Sequence, residues 1–254
     1  MARIIAICNQ KGGAGKTTTT ASLAVVLSRA GQRVHLIDMD PQASLSRRVF
    51  RQSDNQGLLY EALANRTELP VVKLSETLSI TPSSIHLAKG ESQFLSLPAR
   101  EYLLEKSVRL TPLGDDTLVL IDCPPSLGVL TFNCLTAADK VVIPIVPDEL
   151  VVDVLPNLHQ TFATTKKHLN PRLEVLGVVL NQVDDRQKIV PKVEQSVRKA
   201  YRLLGKVHVE TDLQYAVGGG TLPEFRRSRS LAEYDAIAKK INAEVWQTKK
   251  SLAA

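Results

Sequence analysis

The chain has 254 residues, 44% of them hydrophobic, and a formal net charge of +6. That is enough apolar material for a large core in one α/β domain, and no apolar run approaches the roughly 18 residues of a membrane span. Cys8, Cys123 and Cys134 are too scattered for a disulfide framework or a metal cluster, the five histidines show no ligand spacing, and Arg3 enters the first strand with no room for a signal sequence, so a cytoplasmic protein is expected.

Arg3 to Cys8 has the β-branched content of a buried strand, and Lys16 to Ala30, rich in Ala and Leu, reads as the helix after it. Between them runs Asn9-Gln10-Lys11-Gly12-Gly13-Ala14-Gly15-Lys16-Thr17-Thr18. Glycines at a strand-to-helix junction let successive N–H groups turn inward around phosphate oxygens, and the new helix aims its positive end at the same charge. Lys16 offers an ammonium to β- and γ-phosphate oxygens, the Thr17 hydroxyl suits Mg²⁺, and Gly12, Gly13, Ala14, Gly15 and Thr18 complete the cradle. The common phosphate-loop pattern, G-x-x-x-x-G-K-[ST], wants glycine at position 10; here stands Gln10, followed by a second lysine, Lys11. A chance glycine turn is the plainer alternative, outweighed by seven matching positions at such a junction. Lys11 to Thr17 matches the deviant Walker A box, and with it the chain resembles the ParA/MinD family of ATPases. That resemblance implies ATP and Mg²⁺ as ligands.

Arg33 to Ile37 reads as a second strand delivering Asp38-Met39-Asp40-Pro41-Gln42 to the strand ends, which form the ligand edge of open α/β sheets. An isolated Asp-Pro would be a turn or a cap. Beside a phosphate loop, D-x-D-P-Q resembles the family motif whose second acid, here Asp40, orients or activates the attacking water; Asp40 joins Thr17 and Asp122 as expected Mg²⁺ ligands. Arg47 to Gln56 is predicted as a loop, Gly57 to Arg66 as a helix, Leu78 to Thr81 as a strand and Pro98 to Leu110 as a helix. Thr117 to Asp122 is a buried strand ending in an acid, the Walker B arrangement, acting on Mg²⁺ directly or through water. Cys123-Pro124-Pro125-Ser126 resembles the family's switch segment, although Pro-Pro also simply ends a strand.

Val141 to Val146 is the next strand, followed by Pro147-Asp148-Glu149 and a long helix through His168. Leu173 to Leu180 is another strand, and the resemblance makes Asn181 at its end a candidate for the adenine edge. Lys188 to Leu204 is amphipathic, and Val207 to Val209 is a final short strand. Strands alternating with helices imply right-handed crossovers, hence a doubly wound, mostly parallel sheet with helices on both faces, one domain over residues 1 to 254.

Residues 186 to 254 hold 14 Lys/Arg against 7 Asp/Glu. A solvated lysine surface is the common cause of such an excess; contact with nucleic acid or an anionic membrane would need it. The ParA branch carries R-x-N-x-x-L-x-E-A-P-S near its C-terminus; Thr211 to Gly220 lacks the early arginine and the E-A-P-S, while Tyr234-Asp235 keeps the later Y-D. The expected phosphate-backbone contacts are instead Arg226, Arg227 and Arg229 before the last helix, with Lys239 and Lys240 on it. The resemblance further implies a homodimer with ATP sandwiched by Lys11 of each copy, non-specific DNA on the nucleoid, and a ParB-like adaptor that stimulates hydrolysis. Arg3 already starts the core strand, so no helix-turn-helix extension is expected. A MinD-like membrane switch is one rival, although Gln247 to Ala254 offers little apolar face and no stable membrane association is expected. A metabolic P-loop enzyme is the other.

Overall fold

Strand β1 (Arg3–Ile7) is apolar on both sides, and its alternation divides the molecule: Ile5 and Ile7 enter one core cluster, Ala6 and the following Cys8 the other. A strand buried on both faces belongs in the middle of a parallel sheet. The computed structural model describes residues 2–54, 56–149, 151–220, 222 and 228–247, without the side chains of 152–154 and 215. Within them β2 (Val34–Asp38), β3 (Val72–Lys73), β4 (Leu78–Thr81), β5 (Leu118–Asp122), β6 (Lys140–Ile145), β7 (Glu174–Val183) and β8 (Leu203–His208) join β1 in one eight-stranded sheet, ordered β3-β4-β2-β5-β1-β6-β7-β8. Only β3 runs antiparallel to its neighbour.

One face is covered by α1 (Lys16–Arg29), α8 (Thr211–Gly218) and α9 (Arg229–Gln247). The other is covered by α2 (Leu58–Asn65), α3 (Leu87–Gln93), α4 (Leu103–Leu110), α5 (Val129–Ala137), α6 (Val151–His168) and α7 (Ile189–Ala200). The doubly wound architecture expected from the strand–helix alternation is therefore present. No helix among the described residues is long and apolar enough to cross a membrane.

Several boundaries differ from expectation. The predicted loop from Arg47 begins inside a π-helix, Ser44–Val49, which buries Leu45, Ser46 and Val49. The helix predicted from Pro98 starts only at Leu103, after a left-handed Ala99 and a 3-10 turn, Arg100–Tyr102. Strand β7 continues through Asn181 to Val183. The amphipathic run to Leu204 is two elements, because α7 ends at Ala200 and β8 takes up Leu203. Gly205 hides that strand in the sequence; a Cβ there would stand 2.5 Å from Ile237 Cγ1 of α9, so close packing demands the one residue that spoils the strand pattern.

The three cysteines are buried, free thiols. Cys8 and Cys123 adjoin across β1 and β5, and Cys123 also meets Cys134 of α5. Their mutual hydrogen bonding and burial hold the Cys8 thiol well above the usual range; burial does the same for Cys123.

His35 stitches β2 to β4. Its Nδ1 lies 2.9 Å from Ser79 Oγ and its Nε2 lies 3.0 Å from Thr81 Oγ1, and burial lowers its pKa to about 4. Folding thus favours the neutral ring. This contribution is complete above the unfolded value near 6.5, shrinks as the pH falls, and is gone below about 4; it is worth on the order of 3 kcal/mol. The thermal midpoint of the wild type is expected to drop faster than that of His35→Gln between pH 6.5 and 4, and parallel curves in differential scanning calorimetry would contradict this.

Candidate functional site

With β1 central, the loop that leaves it opens between the ends of β5 and β6. The Lys11 N–H donates to Asn9 Oδ1 (3.0 Å), and Asn9 Nδ2 donates to the Pro144 carbonyl of β6 (2.6 Å), anchoring the start of the loop. Gln10 Nε2 reaches Thr161 Oγ1 of α6 at 3.3 Å. Gly13 (φ 73°) and Gly15 (φ 85°) take the left-handed backbone that glycine adopts at little cost. Gly15 leads into α1 with no side-chain cap, which leaves the first N–H groups of the helix for an anion. Gly12 and Gly13 are exposed, and a Cβ on either would meet nothing within 4 Å, so this side of the loop is open to a ligand. Lys16 is buried, and its three-donor ammonium donates to the Lys11 carbonyl at 3.2 Å. A triphosphate fits this cradle.

The acids come from neighbouring strand ends. Asp38 and Asp122 are register partners of β2 and β5, and Ile7 of β1 pairs with Asp122 from the other side. Asp38 Oδ2 accepts the Ser46 N–H (2.8 Å) and hydroxyl (2.6 Å), and Oδ1 accepts the Asp40 N–H (3.1 Å). Burial nevertheless pushes its pKa up to about 7, against those donors. Burial, and the charge of Asp38 beside it, hold Asp122 well above the usual carboxylate range, opposed by Thr17 and Lys16. Asp122 Oδ1 accepts a 3.4 Å contact from the Thr20 hydroxyl, while Oδ2 is buried with no hydrogen-bond partner among the described residues. An orphaned carboxylate oxygen beside a threonine hydroxyl and a phosphate cradle suits a hard dication, so Thr17 and Asp122 fit Mg²⁺. Asp40, expected in the same set, stands beyond the strand end and is half-buried. Its Oδ1 accepts the Gln42 N–H (2.9 Å) and its carbonyl accepts the Ser83 hydroxyl (2.7 Å), so the turn-making role of an Asp before Pro is realised here. The acid directly beside Asp122 is Asp38.

Lys11 forms an ion pair with Asp148, in the loop after β6. Asn181, the expected base contact, is turned into the phosphate loop. Its Nδ2 donates to the Ala14 carbonyl (3.2 Å) and to Thr19 Oγ1 (2.9 Å), and its Oδ1 accepts the Tyr234 hydroxyl (3.0 Å). Both amide hydrogens are spent holding the phosphate loop from below, and a Cβ on Gly15 would stand 2.6 Å from Nδ2. A base edge would have to find its donors elsewhere. The bulge that turns Asn181 inward, with Gln182 at φ 52°, turns Gln182 toward a cleft it shares with Thr18, Val207, Val209 and Gln214. Val207 and Val209 give that cleft apolar walls for a flat ring.

The sequence gives no sign of Ser46, and marks Tyr234 only as part of the retained Y-D. Tyr234 sits among Leu231, Ile237 and Ala238 of α9 and reads as a core residue there; nothing local announces its 3.3 Å hydrogen bond with the Thr19 hydroxyl of α1, more than two hundred residues away. Of the expected DNA contacts, Arg226 and Arg227 lie outside the described residues. Arg229 pairs with Glu233 (3.0 Å), Lys239 pairs with Asp235 (2.7 Å), and Lys240 Nζ donates to the Leu204 carbonyl (2.6 Å). The helical spacing of i and i+4 brings acids to the first two.

Tyr234→Phe removes one donor from a dry network. It is expected to cost about 1–2 kcal/mol in urea unfolding and to weaken fluorescent-nucleotide binding by loosening Asn181 beneath the loop; unchanged nucleotide affinity would show that Asn181 holds the loop without help from α9.

The AAA domain family model matches residues 2–175. The sporulation initiation inhibitor protein Soj of Bacillus subtilis (strain 168) is 37% identical over 206 residues, 80% of this chain and 81% of its own. The chromosome partitioning protein ParA of Myxococcus xanthus (strain DK1622) is 38% identical over 207 residues, 79% of this chain and 72% of its own. The structure of cobyrinic acid a,c-diamide synthase from Mycobacterium smegmatis with bound ATP analog and magnesium superposes with a TM-score of 0.81 at 30% identity, covering 98% of this chain and 97% of that one. Sequence and fold together place the chain in the AAA domain family and, within it, among the ParA/Soj-type partition ATPases of the ParA/MinD superfamily.

Proposed function

We propose that this ATPase is a positioning switch in the cytoplasm. Two copies close face to face on ATP and Mg²⁺, bind DNA of the nucleoid without sequence preference, and part when a ParB-like adaptor stimulates hydrolysis. The observation that carries this reading is the placement of the two lysines. Lys16 is turned into the cradle of its own subunit. Lys11 keeps a side chain 32% exposed and rests on Asp148. An ammonium so placed can exchange a carboxylate for the phosphates of a facing copy, where it would be less hydrated and more strongly held.

The roles follow from position. Backbone N–H groups from Gly12 to Thr18 and the Lys16 ammonium hold phosphate oxygens and offset their charge. Thr17 and Asp122, with Asp40 near them, hold the metal directly or through water. Mg²⁺, when bound, supplies the charge that neutralises β- and γ-oxygens. Asp40 orients the attacking water. Phosphoryl transfer asks little covalent chemistry of a protein beyond this positioning and charge stabilisation. The basic excess of residues 186 to 254 supports an anionic partner.

The likeness to cobyrinic acid a,c-diamide synthase favours a second reading, an enzyme that couples ATP to a small-molecule acceptor. Turnover stimulated by DNA and adaptor with no acceptor present separates the two. For the switch itself, light scattering with a non-hydrolysable ATP analogue is expected to give a dimer for wild type and a monomer for Lys11→Ala, with nucleotide still bound; a Lys11→Ala dimer would refute the exchange of lysines. Asp40→Ala is expected to keep the dimer while lowering turnover about a hundredfold or more.

A further inference from the structure

Residues 41–53 contain Arg47, Arg48 and Arg51 and no Asp or Glu. The π-helix Ser44–Val49 buries Leu45, Ser46 and Val49 and leaves Arg47 and Arg48 exposed. Among the described residues neither guanidinium has a hydrogen-bond or ion-pair partner, in contrast to Arg229, Lys239 and Lys240.

The segment is also held in place. Ala43 (φ 53°) and Arg51 (φ 53°) bracket it with left-handed turns that non-glycine residues rarely adopt. Arg51 donates to the Gly219 carbonyl at 2.8 Å, and a Cβ on Gly220 would stand 2.8 Å from the Arg48 carbonyl oxygen, so the segment rests directly on the loop after α8. Underneath, Ser46 gives both its N–H and its hydroxyl to Asp38 and accepts the Ser83 N–H at 2.9 Å, while Ser83 holds the Asp40 carbonyl. The arginines therefore ride on a turn that is bolted to the acids of the nucleotide site. Short helical distortions of this kind recur at functional sites.

We propose that Arg47 and Arg48 grip the phosphate backbone of duplex DNA. This rests on the DNA-binding reading above and locates it on the turn after the D-P-Q motif. Guanidinium forks suit phosphate oxygens and carry no base preference when they bind the backbone. With no acid in the segment, no charge of its own is there to neutralise them, and their cost of desolvation is offset only by an anion brought from outside.

The test measures binding of a random-sequence duplex by fluorescence anisotropy, with ATP, across a salt series. Each phosphate contact contributes about 0.9 to the slope of log affinity against log salt. Arg47→Ala and Arg48→Ala are each expected to lower the slope by about 0.9 and the double variant by about 1.8; Arg47→Lys/Arg48→Lys is expected to restore it, and Lys239→Ala to leave it unchanged. Nucleotide binding and thermal midpoint of each variant serve as the check on folding. If wild type binds and the double variant keeps its slope, this placement fails while the DNA reading stands. If wild type itself does not bind DNA with ATP, both fail. A double variant that loses DNA together with its ATP-dependent dimer would assign the two arginines to a second copy of the chain and overturn the placement.

Discussion

Two carboxylates buried side by side are expensive, and the molecule is arranged around keeping them there. Because β5 is inserted between β1 and β2, Asp122 lies next to Asp38 in register and next to the start of the phosphate loop. Water cannot pay their charging cost. Ser46, the Asp40 N–H, Thr17 and Lys16 each offset part of it, and one oxygen of Asp122 is left over. A corner so starved of positive charge will take up a cation more readily than a solvated one, since both carboxylates lose their mutual repulsion when it arrives. The phosphate loop, the turn carrying Ser46 and the first turns of α1 all converge on this corner.

What was legible in the sequence was what local chemistry decides. β1, β2, β5 and β6 are apolar on both faces, so their runs stand out, and the spacing of Gly12, Gly13, Gly15, Lys16 and Thr17 has few other uses. The parts that stayed hidden depend on partners distant in the chain. Nothing near Asn181 in the sequence shows that Ala14 and Thr19 take both of its amide hydrogens and that Tyr234 donates to its oxygen. The π-helix has no readable period, since its apolar residues at 45 and 49 stand four apart, a spacing that suits one helical turn and one face of a strand alike. Strand β8 was obscured by the glycine that lets α9 approach.

Net charge was a poorer guide than charge pairing. The C-terminal quarter holds the excess, yet Arg229 and Lys239 meet acids one helical turn away and the ammonium of Lys240 is on a backbone carbonyl. Exposed pairs of that kind contribute little to stability, but they do blunt the local field an approaching polyanion would feel. The shorter segment after Asp40 carries fewer cations and no compensating acids, and is the more positive surface per residue.

The line of thiols through Cys8, Cys123 and Cys134 has a practical corollary. Sulfur reacts with alkylating agents and peroxides as thiolate; all three thiols are buried away from such reagents, and at Cys8 and Cys123 the thiolate is disfavoured as well. The native fold is therefore chemically mute toward maleimides and oxidants. Any sulfur that does react reports an opening of the core cluster that holds all three, which gives the chain a built-in chronometer for its own opening.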